Sequence, residues 1–140
     1  MKLQNYKDAT LELQRKIAKL PQVEPETNHY FADGVYMREM KQLGGTVVIG
    51  KTHKTEHLNT LSEGECMVAM GGMKAVLKAP YTFVSPVGSK KVIIALTDIT
   101  WSTIHHTVET DLDKLEALLV EEEPDQLTNE GKEALWHSTT

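Results

Sequence analysis

A chain of 140 residues with 40% hydrophobic side chains is sized for one domain with a real core. Its formal net charge of −5 comes without any long basic stretch, which disfavours nucleic acid and anionic membranes as partners. The single cysteine, Cys66, excludes an internal disulfide, fits a reducing compartment and is expected to be a small buried apolar residue.

The chain opens on Met-Lys-Leu-Gln-Asn-Tyr-Lys-Asp, a charged helix former rather than a signal peptide, and no apolar run is long enough to span a bilayer. A soluble, intracellular protein is expected. Leu3, Tyr6, Thr10, Leu13, Ile17 and Leu20 step by three and four, which predicts a helix over 2–20 with one apolar stripe. That stripe either packs on the rest of the domain or forms a subunit contact, since its spacing alternates like a heptad seam. Two prolines make 21–26 a linker or extended arm. From Asn28 to Thr107 short β-rich runs alternate with turn residues: 29–31, 35–40, 46–49, 56–61, 66–70, 73–77, 82–84, 92–96 and 99–105. Gly71-Gly72 is a tight-hairpin signal because primed turns need positive φ, and Asp33-Gly34 is a second. Pro86 and Gly88 mark another turn. A helix follows with Thr110 as N-cap and Leu112, Leu115, Leu118 and Leu119 as its apolar face, ended by Glu121–Glu123 and Pro124. A last short helix is expected over 128–137, with Leu135 and Trp136 as docking residues. The expected layout is an N-terminal helix at 1–20, a barrel at 21–107 and a C-terminal helical extension at 108–140.

The densest motif places Gly45, Lys51, His53, His57 and Gly64 at a fixed spacing. It resembles the first motif of the cupins, which runs Gly, five residues, His, one, His, three or four, Glu, six, Gly. Lys51 stands at the first His position and His57 at the Glu position. The second cupin motif runs Gly, five residues, Pro, one, Gly, two, His, three, Asn. Pro86 and Gly88 supply its turn, whereas Pro80, Lys91 and Ala95 stand at its Gly, His and Asn positions. The resemblance implies an all-β jelly roll, a double-stranded β-helix over roughly Val35 to His105, in which three His and one Glu of a metal cupin converge on an ion. Four longer strings (26–36, 53–59, 79–86 and 100–105) resemble small cupin-like proteins of tailed bacteriophages and prophages. That likeness brings no reaction with it. It implies a place in the host cytoplasm or the virion, with phage structural proteins as partners.

The inherited metal site is at most half present, because a charged Lys cannot be a ligand. A replacement is available. His53 and His57 share strand parity if the chain stays extended between them, and Trp101, Thr103 and His105 share one face of the last strand. His53, His57 and His105 could then form a facial triad for one divalent transition metal, with Glu56 and His29 in reserve. In the plainer alternative these imidazoles are satisfied by hydrogen bonds. Lys51 and Lys91, with Lys90 beside them, could instead make a positive barrel mouth for a carboxylate or phosphate, or be the solvated end of a turn. Ser62, Ser85, Ser89 and Ser102 sit in no nucleophile elbow, and there is no phosphate loop or dinucleotide fingerprint.

Two functions remain open. One is a non-enzymatic binding or assembly module, homo-oligomeric and of the phage type. The other is a metal-dependent cupin enzyme acting on a small carboxylate or sugar. With Lys51 and Lys91 at ligand positions, substoichiometric metal or none is expected, and no other cofactor.

Overall fold

The computed structural model describes residues 25–122. The helices expected over 2–20 and 128–137 lie outside that range. Nine strands form: β1 (Glu26–Ala32), β2 (Val35–Gln42), β3 (Val47–Ile49), β4 (His57–Glu63), β5 (Glu65–Met70), β6 (Met73–Lys78), β7 (Tyr81–Ser85), β8 (Lys91–Ala95) and β9 (Ile99–His106). They pair antiparallel in two sheets, ordered β1-β2-β9-β4-β7 and β3-β8-β5-β6. The fold is the expected all-β jelly roll. Among the described residues no helix is long and apolar enough to cross a membrane.

Both glycine-marked hairpins form. Gly71 and Gly72 take φ of 61° and 80°, and Met70 pairs with Met73 across the turn. Ala32 pairs with Val35 around Asp33-Gly34.

The inner faces change character along the strands. At one end Met40, Trp101 and Leu61 stand side by side across β2, β9 and β4. They join Val48, Cys66, Val68, Leu77, Ile93, Ala95 and Ile99 in the main apolar core between the sheets. Cys66 is fully buried there, as expected, and burial together with the Glu65 carboxylate pushes its thiol up to about 11. One step along, the same strands place Arg38, Thr103 and Asn59 in register. A further step brings Tyr36 opposite His105 and His57 opposite Ser85. Strand alternation therefore delivers a polar layer to one end of a closed apolar core.

A short helix, α1 (Leu112–Leu119), covers that polar end. Its N-cap is Asp111 and not the expected Thr110, because the Asp111 carboxylate accepts from the amides of Asp113 and Lys114 at 3.0 and 3.1 Å. Only part of the expected apolar face is covered. Leu115 and Leu119 pack with Tyr36 and Val120, while Leu112 and Leu118 remain 46% and 54% exposed. Leu115 and Leu119, four residues apart, share the one covered edge of the helix.

Candidate metal centre

His53, His57 and His105 converge. All three are buried, and one ring nitrogen from each lies within 4.8 Å of the others. Their ring centroids are 4.0 Å (His53–His57), 4.9 Å (His57–His105) and 5.6 Å (His53–His105) apart. The route to this convergence differs from shared strand parity. His53 forms an isolated bridge with Val120, the chain bends at Lys54 and Thr55, and β4 starts only at His57.

Each imidazole is held differently. The His53 amide donates to Ser89 O and its carbonyl accepts from Gly88 N, both at 2.9 Å, which ties it to the Pro86–Gly88 turn. On its other side, Lys54 N donates to Leu119 O and Glu121 N donates to Thr52 O, at 2.7 and 2.8 Å. The end of α1 thus clamps the His53 segment. His57 Nδ1 lies 3.0 Å from Thr55 O, so that nitrogen carries the proton and Nε2 presents its lone pair inward. His105 is stacked under Tyr36 at 5.9 Å and 18°.

Burial pushes all three imidazoles toward the neutral form, with Lys91 adding to the effect. The His57 pKa falls to about 4, that of His105 to about 3, and that of His53 lies well below its usual value. A neutral imidazole is the ligating form. His53 Nδ1 and both ring nitrogens of His105 are buried without a hydrogen-bond partner among the described residues. Neutral, converging imidazoles whose acceptor nitrogens lack a partner fit a transition-metal donor set.

Of the two lysines at ligand positions, one is paired with a carboxylate and the other lies against a candidate ligand atom. The Lys51 ammonium pairs with the Glu116 carboxylate of α1. Lys91 Nζ lies 3.1 Å from His57 Nε2 and 3.2 Å from Ser85 Oγ, and burial lowers its pKa to about 7. One cation is neutralised by a carboxylate and the other sheds its proton readily. Lys90 Nζ donates to Gly50 O at 2.8 Å. The reserve ligands stay apart: His29 Nδ1 bonds Tyr36 Oη at 2.7 Å, and Glu56 is exposed.

The sequence reading missed Arg38 and Asn59, and named Thr103 only as sharing a strand face with Trp101 and His105. Arg38 is only 7% exposed, and burial drops its pKa to about 10. Strand parity was the available signal, since Arg38 lies two residues from both Tyr36 and Met40 on β2. Asn59 Nδ2 donates to Ser85 Oγ at 2.7 Å, which fixes the hydroxyl that Lys91 also contacts.

No protein-family model and no curated protein matches the sequence. Solved structures do match. A cupin superfamily protein of Desulfitobacterium hafniense aligns at TM-score 0.53 and 13% identity, over 64% of this chain and 86% of that one. The fold is that of the cupins. A Photorhabdus luminescens protein aligns at TM-score 0.55 and 14% identity, over 70% of this chain and 90% of that one. Salicylate 1,2-dioxygenase of Pseudoaminobacter salicylatoxidans aligns at TM-score 0.58 and 15% identity, over 85% of this chain but only 36% of that one. Likeness at such identity is a statement about fold and not about activity. Within this cupin fold, the third imidazole comes from β9 rather than from the second motif, where Lys91 stands.

The buried imidazoles also set an acid response. Unfolded, each titrates near its usual value of about 6.5. Folded, each refuses the proton until much lower pH. The unfolded state therefore binds more protons below about pH 6.5, so stability falls as pH drops from there toward 4 and 3. Lys91 acts in the same sense above pH 7, because its folded pKa is also the lower one. Chelator-treated protein is expected to melt progressively lower between pH 7 and pH 5. A flat melting temperature over that interval would contradict the buried, neutral placement of the three rings.

Proposed function

We propose that this cupin-fold chain is a metal-binding protein in which His53, His57 and His105 hold one divalent transition ion. The observation that carries the reading is the set of three buried, neutral imidazoles with ligand atoms within 4.8 Å, two of which, His53 and His105, carry ring nitrogens with no partner among the described residues. Such an ion, once bound, supplies a Lewis-acid charge that polarises an oxygen ligand. The chain's own residues do the rest. Thr55 O fixes the His57 tautomer, Tyr36 holds the His105 ring, and the Pro86–Gly88 turn and α1 fix His53. An open groove of about 270 Å³, lined by Glu56, His57, Val84, Ile104, His105 and His106, offers a way in from outside. Its size is near the lower end for small-molecule sites, which suits a small carboxylate or sugar. Elemental analysis of protein prepared without chelator tests the reading: about one ion per chain supports it, and none after incubation with excess zinc, nickel or manganese sinks it.

One observation favours a second reading, a homo-oligomeric binding or assembly module. Tyr30, Met37, Ile104, Leu58 and Val84 are mutual register partners across all five strands of the larger sheet. They form an apolar row on its outer face, where Tyr30, Leu58 and Val84 are 47%, 42% and 53% exposed. The neighbouring row, Asn28, Glu39, Ser102, Thr60 and Thr82, is polar. A continuous apolar row is the kind of surface that a second copy covers. Sedimentation of the full chain should then show an oligomer that Leu58→Glu reduces to monomer. A monomeric wild type at micromolar concentration rules this reading out.

A further inference from the structure

Between the sheets lies a cavity of about 30 Å³. Arg38, His53, Lys91, Trp101 and Thr103 line its polar side, and Met40, Val48 and Ile93 its apolar side. Among the described residues no carboxylate lines it. We propose that this cavity is a binding site for one small oxyanion, of the size and shape of formate, bicarbonate or nitrate, held by the Arg38 guanidinium.

Arg38 carries the argument. It is 7% exposed and has no hydrogen-bond or ion-pair partner among the described residues. The carboxylate that acts on it through space, Glu116, is engaged by Lys51. Burying an unpaired cation costs several kcal/mol unless an anion and its hydrogen bonds offset the loss. The guanidinium is a planar fork of donors that matches a planar oxyanion two-to-two.

The second observation is independent of Arg38. Trp101 Nε1 and Thr103 Oγ1 are buried with no hydrogen-bond partner, and both residues line this cavity. Register explains why they gather: Arg38 faces Thr103, and Met40 faces Trp101, across β2 and β9. One indole N–H, one hydroxyl and one guanidinium therefore line a single cavity that no carboxylate among the described residues enters. An anion supplies acceptors to all three, whereas a neutral water leaves the charge uncompensated.

Size narrows the ligand further. A single water needs roughly 10–15 Å³ measured in this way, so 30 Å³ admits about two water-sized groups. The smallest planar oxyanions come nearest to this size, and a tetrahedral phosphate or sulfate exceeds it. The site uses no metal ligand except His53 at its rim, and it does not depend on the metal reading.

The test is a titration of chelator-treated, nitrogen-15-labelled full-length protein with sodium formate, bicarbonate and nitrate at constant ionic strength. The chain has two tryptophans, so two indole N–H signals are seen, and Trp101→Phe assigns the relevant one. A saturable shift of the Trp101 signal is expected with these ions and not with chloride, sulfate or phosphate. Arg38→Met should weaken binding at least tenfold, and Thr103→Val several-fold. Arg38→Met should fold, since an apolar side chain replaces a lone buried charge; its melting temperature in chloride checks this. Should it not fold, Thr103→Val decides. A linear or absent shift in the wild type, equal response to phosphate, or unchanged affinity in the variants overturns the proposal. Because the sample carries no metal, failure of the metal reading leaves this outcome unaffected.

Discussion

Loaded with zinc, nickel or manganese, the protein is expected to hold about one ion per chain, and His53→Ala, His57→Ala and His105→Ala each to weaken that binding on the order of a hundredfold or more. Even partners of ligands cost about 10–100-fold when removed, and these residues are the ligands themselves. The gain in stability follows from mass action. At an ion concentration of about 100 times the dissociation constant it is roughly 2.7 kcal/mol. For a domain of this length that shifts the melting temperature by about 10 °C. Each alanine variant should lose most of this shift while keeping its apo melting temperature within a few degrees. Equal metal-induced shifts in the wild type and all three variants would place the ion elsewhere.

Gly64→Ala should be among the most damaging single-methyl additions in the chain. Gly64 takes φ of 86° at the crossing from β4 in one sheet to β5 in the other. A Cβ there would meet Asp98 O at 2.2 Å, Ile99 Cγ2 at 2.7 Å and Thr97 Oγ1 at 2.8 Å. Left-handed backbone alone costs a non-glycine residue about 1–2 kcal/mol. The clash with a backbone carbonyl adds to that, because the β8–β9 turn must move. Gly45 makes the comparison clean. It has φ of 84°, but a Cβ would meet nothing within 4 Å. Gly45→Ala should therefore cost only the backbone term, and Gly64→Ala should exceed it by at least about 2 kcal/mol in urea denaturation, in line with overpacking elsewhere. Equal losses in the two variants would mean that the sheet crossing is looser than described.

The strands were legible because turn residues and period-two alternation are local signals. Gly34, Gly71 and Gly72 all take the positive φ that their dipeptides promised. His53 and His57 were legible from motif spacing and His105 from the parity of the last strand, although His53 reaches the cluster through a bend and a bridge to Val120. What stayed hidden depends on groups far apart in the chain. Lys51 is neutralised by Glu116, 65 residues away. Lys91 becomes readily neutral because the fold desolvates it, which no neighbouring residue announces. Arg38 gains its meaning only where its inward parity meets a layer shared with Thr103 and Asn59. Thr110 and Asp111 are both good caps by type, and only the carboxylate's reach to two amides separates them.

The clamp of α1 on the His53 segment has a dynamic consequence. Lys54 and Thr52 share backbone hydrogen bonds with Leu119 and Glu121, and Lys51 shares its charge with Glu116. Helix undocking and loss of the His53 position are then a single opening event and not two independent ones. The free energy that keeps eight residues of helix on the barrel also sets how often the cluster comes apart. Amide protection along α1 becomes a report on the geometry of a site that its own side chains do not touch, except through Glu116.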